Sequence, residues 1–336
     1  VQGSCDMGSF PHELPGYRPI TDDAVRSIFE NKWNVKIQNE PGMRSVNMFD
    51  AAVGGQFKGI YIQGEDFLQS EPNTQHIEEA FGSMDCVVVQ DLFLTETANF
   101  AHVFFPATSF LEKNGTFTNA ERRINRVRPV MEPITGKHEW EITQELAAAM
   151  GYEMNFESSE EILNEIAELT PTFTGVSFKK LDEVGSLQWP CNESAPLGTP
   201  IMHVDEFVRG KGQFIITDYV PTTETANRRF PLLLTTGRNL VQYNVGTQTR
   251  RTHNTLWSNE DVLEIHPADA STRGIDNDSL VLLRSRKGET TLKAFITEKI
   301  PAGVVYTTFH NPETGANVVT TENSDWATNC PEYKVT

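Results

Sequence analysis

Two stretches place carboxylates directly behind apolar, β-rich runs. Gly64-Glu65-Asp66 follows Phe57 to Gln63, and Gln90-Asp91, with Thr95, Glu96 and Thr97 shortly behind, closes the run that begins at Met84. In open α/β sheets ligands bind beyond the carboxyl ends of the strands. A carboxylate there can accept two hydrogen bonds from the N1 and exocyclic amino donors of guanine, a pair that adenine does not present. The plainer alternative is that Asp91 caps a turn. Residues 111–128 (LEKNGTFTNAERRINRVR) concentrate one lysine and four arginines in an acidic chain. Such a reversal suits a pyrophosphate or an acidic partner surface, and a solvated basic hairpin is the alternative. Lys113, beside Asn114-Gly115, is the cation best placed to face a ligand. Thr235-Thr236-Gly237-Arg238 is a small-residue turn that lets backbone amides approach phosphate. Taken alone, it and the pair Arg250-Arg251 are weak signals.

Cysteine and histidine add little chemistry. Cys5, Cys86, Cys191 and Cys330 are scattered without a CxxC pair, so neither a zinc ribbon nor a ferredoxin-type cluster can be read from them. Cys86, inside Cys86-Val87-Val88-Val89, reads as a buried structural thiol, whereas Cys5, between Gly3 and Gly8, is more open to a role. The eight histidines show no HExxH and no other metal-ligand spacing, and read as surface or satisfied core residues.

The elements that must hold these residues fall into two patterns. Over the first 150 or so residues, short apolar runs alternate with helical patterns, as in a parallel sheet covered by helices. Strands are expected at Phe57 to Gln63, Met84 to Gln90 and His102 to Phe105, and helices at Asn73 to Phe81, His138 to Met150 and Ser158 to Leu169. Ser158 and Glu161 stand at capping-box spacing. Residues 170–229 read as a long connector with one strand, Phe214 to Thr217. Beyond Phe230 come short β-rich runs, Pro231 to Thr236, Val262 to Ile265, Leu280 to Ser285, Thr290 to Thr297 and Val304 to Thr308, with a hairpin turning at Lys287-Gly288. They suggest a small closed barrel. The domains expected are therefore residues 1–151, the helix and connector 152–229, and a β-barrel domain 230–336.

The chain's 336 residues, 38% of them hydrophobic, suffice for two cores. The balance of 28 basic against 46 acidic residues, a net charge of −18, disfavours nucleic acid as a partner. No apolar stretch is long enough for a membrane span, and VQGSCDMGSF has no signal-peptide pattern, so a soluble, cytoplasmic protein is expected.

Several long runs occur together in order: VQGSCDMG, VVVQDLFLTETANFAHVFFPATSFLEKNGTFTNAERRINRV, PLLLTTGRNLVQYNVGTQTRR, RGIDNDSLVLLRSRKGE and CPEYKV. Together they resemble the bis-pyranopterin molybdenum or tungsten oxidoreductases over nearly the whole chain, specifically formate dehydrogenase alpha subunits. The details around TQTRR and ATNCPEYKVT are most similar to the soluble, NAD-linked members. The resemblance implies an α/β Rossmann-like cofactor domain followed by a double-psi β-barrel, together holding a bis-molybdopterin guanine dinucleotide with molybdenum or tungsten. Family contacts carried onto matching positions fall on Glu65, Asp66, Gln90, Asp91, Lys113 and His138. In the second domain they fall on Thr236, Gly237, Arg238, Asn239, Leu240, Tyr243, Asn244, Phe309, Asn317 and Lys334. At His138 the family more often carries an acid.

The resemblance also implies what this stretch lacks. In the family the iron-sulfur cluster, the metal-ligating cysteine or selenocysteine, its adjacent histidine and the substrate-orienting arginine precede VQGSCDMG, so no catalytic or metal-ligating residue is expected here. Expected partners are an N-terminal portion of the same catalytic subunit, a flavin and iron-sulfur subunit that reduces NAD, and formate. Two rivals remain open: a nitrate reductase of the same superfamily, against which TQTRR speaks, and a cofactor-free structural homologue of respiratory complexes, against which Asp91, Lys113 and TTGR speak.

Overall fold

β-Branched residues restricted at Cβ favour extended backbone, and the apolar runs between polar turns become strands. In the computed structural model, which describes residues 2–325 and 327–331, these are β1 (Gly59–Gln63), β2 (Cys86–Asp91), β3 (Val103–Pro106), β4 (Gly115–Thr118), β5 (Arg123–Val127) and β6 (Ser186–Gln188). There follow β7 (Leu233–Gly237), β8 (Val262–Ile265), β9 (Leu280–Arg284), β10 (Glu289–Ile296) and β11 (Val304–Thr308). A two-residue pairing of Glu13–Leu14 with Arg18–Pro19 precedes them.

In space the chain sorts into two compact units that do not follow its order. One comprises residues up to Arg44 with Ala107–Thr217, the other Ser45–Pro106 with the segment from Asp218 onward.

In the first unit β4, β5 and β6 form an antiparallel sheet over a core of Ile124, Leu163, Phe173, Val176, Phe178, Leu181, Leu187 and Cys191. Burying a side chain of this size contributes about 1.5 to 3 kcal/mol. Ser158 caps the helix Ser159–Leu169 as its spacing with Glu161 predicts, accepting the Glu161 amide at 3.3 Å. The basic run 111–128 is largely committed to this unit's own partners. Arg126 stacks 3.5 Å from the Phe178 ring centroid, Arg126 and Arg128 both face Asp182, and Arg122 donates to the carbonyls of Trp189, Thr199 and Pro200.

In the second unit β1, β2 and β3 form the expected parallel sheet, its core running through Phe49, Ile62, Ile77, Phe81, Val87 and Val89. The later strands pair in the order β9-β10-β8-β11-β7, with β10-β8 and β11-β7 parallel and the other pairs antiparallel. Their core is Leu234, Leu263, Ile265, Leu292, Ala294, Val305 and Val319. The expected hairpin joins Arg284 to Glu289. The short helix Pro267–Arg273 begins on proline and stops at Gly274, whose φ of 62° suits glycine.

Three expectations change. The connector 170–229 contains the helix Phe178–Val184 and β6. Phe214 to Thr217 forms no strand and is exposed, because no neighbouring strand is there to complete its backbone hydrogen bonds. Cys86 is exposed rather than buried: as the first residue of β2 it lies at the sheet margin, while Val87 and Val89 point into the core. Among the described residues the backbone ladders of the later strands form a five-stranded mixed sheet with β9 and β7 at its margins.

Candidate functional site

The carboxyl ends of β1 and β2 are stitched together by their own loops. Gly64, with φ 64°, turns the chain away from β1 and donates its amide to the Gln90 carbonyl at 2.9 Å. Asp66 Oδ1 accepts two hydrogen bonds from Thr97, from the amide at 2.9 Å and the hydroxyl at 2.7 Å. The Thr97 hydroxyl oxygen in turn accepts from the Leu68 amide at 2.9 Å. Glu65 Oε1 accepts from the Ser70 hydroxyl at 2.7 Å.

Gln90 and Asp91 are held differently. The Gln90 Oε1 accepts from Tyr61 at 2.5 Å and Gln63 at 2.7 Å, while its Nε2, in a residue only 1% exposed, has no hydrogen-bond partner among the described residues. A buried donor without a partner is destabilising unless a ligand or water satisfies it. Burial pushes the Asp91 carboxyl above the usual aspartate range. The Leu92 and Phe93 amides and nearby Arg251 oppose that shift, and Asp66 reinforces it. The Arg251 guanidinium lies 4.2 Å from the Phe93 ring centroid.

The second strand end is that of β7, beside β11. Gly237 packs closely on Tyr306: a Cβ there would lie 2.7 Å from the hydroxyl oxygen, so a larger residue would require the tyrosine ring to shift. Arg238 sits 5.2 Å from the Phe309 ring centroid. The Asn239 side-chain oxygen accepts from the amides of Val241 and Gln242 at 3.0 and 2.8 Å, folding the following loop on itself. Leu240 and Tyr243 of that loop are exposed, and Asn244 closes it with φ 48°.

These elements enclose a cavity of about 260 Å³ lined by Glu65, Thr236, Gly237, Arg238, Asn244, Phe309 and Asn317, with Ser70 and Val245. Residues far apart in sequence, from the segment after β1, from β7 and its following loop, and from the segment after β11, thus meet in one concave, mixed-polarity space. Asp66, Gln90, Asp91, Asn239, Leu240 and Tyr243 belong to the same compact unit without lining this cavity.

A sequence model described as "Molybdopterin oxidoreductase" matches residues 2–149, and one described as "Molydopterin dinucleotide binding domain" matches residues 232–336. The chain belongs to the molybdopterin oxidoreductases. Among the relatives of this family member is the F420-dependent formate dehydrogenase subunit alpha of Methanocaldococcus jannaschii, 40% identical over all of this chain and 50% of that protein. Formate dehydrogenase H of Escherichia coli is 34% identical over 99% of this chain and 48% of that protein. The chain spans about half the length of the curated relatives it matches. Acetylene hydratase from Pelobacter acetylenicus shares the fold with a TM-score of 0.70 at 18% identity, over 94% of this chain and 49% of that one.

Lys113 and His138 are not among the residues that line the cavity of this molybdopterin oxidoreductase. Both are in the other compact unit. Lys113 pairs with Glu139 at 2.5 Å, and His138 precedes the helix Glu139–Ala149, donating its amide to Glu141 at 2.6 Å. Burial pushes the Glu139 carboxyl up, but hydrogen bonds from Lys113 and Thr108 outweigh it and hold the group below its usual range. Lys334 lies outside the described residues. Gln69 and His310, which no sequence motif singles out, are both buried and bonded to the loop that closes the cavity. Among the described residues no group of three or more His, Cys, Asp or Glu is gathered to hold a metal ion, and no helix is long and apolar enough to cross a membrane.

Proposed function

We propose that this chain is the cofactor-anchoring part of a formate dehydrogenase catalytic subunit, in which a Rossmann-like layer and a double-psi β-barrel hold a bis-molybdopterin guanine dinucleotide with molybdenum or tungsten. The supporting observation is the convergence of seven family-contact residues on one cavity. The residues present fit such a group: Gln90 Nε2 is an orphaned buried donor, Asp91 is a buried acceptor, and Arg238 offers a cation beside an amide-rich turn. When bound, the dinucleotide supplies the two-electron centre at which formate becomes carbon dioxide. The chain's own work is to bind and orient. Asp91 accepts from guanine N1 and its exocyclic amine, Gln90 donates to a base or sugar oxygen, and Arg238 with the Thr236-Gly237 turn faces phosphate. Lys113, His138 and Lys334 complete the proposed contacts.

On this reading the iron-sulfur clusters, the metal's protein ligand and the substrate-orienting arginine belong to an N-terminal portion of the subunit, and the protein is cytoplasmic. Electrons leave through an iron-sulfur and flavin partner. The quoted motifs favour NAD as final acceptor, whereas the first relatives carry F420 in their names. The nitrate reductase and cofactor-free alternatives are not favoured by relatives named for formate dehydrogenation.

Calorimetric titration of the chain with guanosine and adenosine diphosphates tests the anchoring role. Guanosine diphosphate should bind about tenfold or more tightly, the discrimination expected of a bidentate base contact. Equal binding, or none, overturns it. In the assembled enzyme, formate-dependent reduction of NAD or F420 identifies the acceptor.

A further inference from the structure

The wall of the cavity depends on a residue that touches none of its space. His310 is fully buried beside Phe309. Its Nδ1 lies 2.5 Å from the Asn244 carbonyl oxygen and its Nε2 lies 3.1 Å from the Asn239 amide nitrogen. A backbone amide only donates and a carbonyl only accepts. Both contacts are therefore hydrogen bonds only when Nδ1 carries the proton and Nε2 does not. The other tautomer would set donor against donor at Asn239 and acceptor against acceptor at Asn244, and an imidazolium would still oppose the Asn239 amide.

The ring thus ties together the two ends of the loop Asn239 to Asn244. The middle of that loop is tied elsewhere, since Asn239 Nδ2 and Gln242 Nε2 donate to the hydroxyl and carbonyl oxygens of Ser258 at 2.9 and 2.8 Å and Asn254 Nδ2 donates to the Val241 carbonyl at 2.6 Å. Leu240 and Tyr243 project into solvent at 105% and 70% exposure, and the ring adds the tie between the loop's two ends. The ring itself is held from behind. The His310 amide donates to Asp261 Oδ1 at 3.3 Å, while Asp261 Oδ2 accepts from the Asn311 amide at 2.9 Å and the Thr314 hydroxyl at 2.8 Å. Gln69 Nε2 bridges the carbonyls of Val245 and His310 at 2.7 and 3.2 Å. Asn317, itself in the cavity wall, donates to the Gln69 carbonyl at 2.8 Å.

We propose that His310 is a positioning residue: locked as the neutral Nδ1–H tautomer, it presets the Asn239 to Asn244 loop, so that the cavity wall is formed before a nucleotide arrives. Ordering a loop in advance removes that entropy from the binding step, and the benefit appears as affinity. This role rests on reading the cavity as a nucleotide site.

Two measurements test it. Ring ¹⁵N resonances of the wild-type chain at neutral pH should show a protonated Nδ1 and an unprotonated Nε2, with slow hydrogen exchange at the Asn239 amide. The opposite tautomer, an imidazolium, or a fast-exchanging amide overturns the clamp without any variant. In the second, guanosine diphosphate is titrated into His310→Leu, His310→Asn and His310→Gln. Leu keeps neither bond, Asn keeps a donor near Nδ1, and Gln keeps an acceptor near Nε2. Affinity should fall about tenfold or more in the Leu variant and less in the other two. Wild-type affinity in a folded His310→Leu chain overturns the role. Failure of the wild-type chain to bind guanosine diphosphate overturns the nucleotide reading instead, and the ring spectrum tells the two failures apart.

Discussion

Asp66 and Asp91 both stand behind a strand of the same parallel sheet, and both are nearly buried, at 4% and 8% exposure. Asp66 has its Oδ1 filled by the Thr97 amide and hydroxyl, and so pins one loop to the other. Asp91 accepts from its own neighbours Leu92 and Phe93, which leaves the burial penalty dominant and its carboxyl raised. The difference teaches that a strand-end carboxylate is defined by what already answers it. One answered by distant protein donors is a structural pin, and one answered only by its own neighbours ties no second loop to the strand end.

The largest expected effect separates the two directly. Asp66→Ala removes the acceptor of the buried Thr97 amide and should destabilise the chain by about 3 kcal/mol, measured by urea unfolding. A loss below about 1 kcal/mol would erase the distinction from Asp91. Asp91→Asn keeps an acceptor for the Leu92 amide but turns the other position into a donor. Guanosine diphosphate affinity should drop about tenfold or more while the chain stays folded. Undiminished affinity would remove Asp91 from the guanine contact.

A third test uses pH. Because the folded-state pKa of Asp91 is raised, the unfolded chain ionises first as pH climbs through the ordinary value of 3.8, and Asp91's contribution to stability declines until the folded carboxyl ionises too. The wild type should therefore lose stability relative to Asp91→Asn as pH rises through that window. A pH-independent difference would contradict burial as the cause.

The smallest effect concerns an exposed carboxylate. Asp325 accepts from the Thr328 hydroxyl and amide and from the Cys330 amide, which hold it down to about 2. It therefore supports its turn above 3.8 and loses that support as pH falls towards 2. Amide resonances of Thr328 and Cys330 should report a local change in this window with no global transition. Unperturbed resonances would refute it.

How much could be read in advance follows the range of the forces involved. The parallel strands at Gly59–Gln63 and Cys86–Asp91, the Ser158 cap and the hairpin after Arg284 are written in runs of a few residues, through β-branching, capping side chains and turn glycine. The exposed stretch Phe214 to Thr217 carries the same local signal and forms no strand, because propensity without a pairing neighbour does not make one. The partners of the basic run lie beyond the reach of such local signals. Lys113, Arg122, Arg126 and Arg128 find partners at Glu139, at the carbonyls near Trp189 and at Asp182, dozens of residues away or more in several cases.

The sequence by itself determined the strand ends, the carboxylates behind them, the Thr236-Gly237-Arg238 turn and, through its long motifs, the family. Only the tertiary structure decided that Glu65, Arg238, Phe309 and Asn317 share one cavity, that Asp66 is a pin and Asp91 is not, and that His310 and Gln69 hold the loop beside them. Propensity acts between neighbours along the chain. The partner of a buried donor or acceptor is chosen by packing, which brings together residues that the sequence keeps far apart.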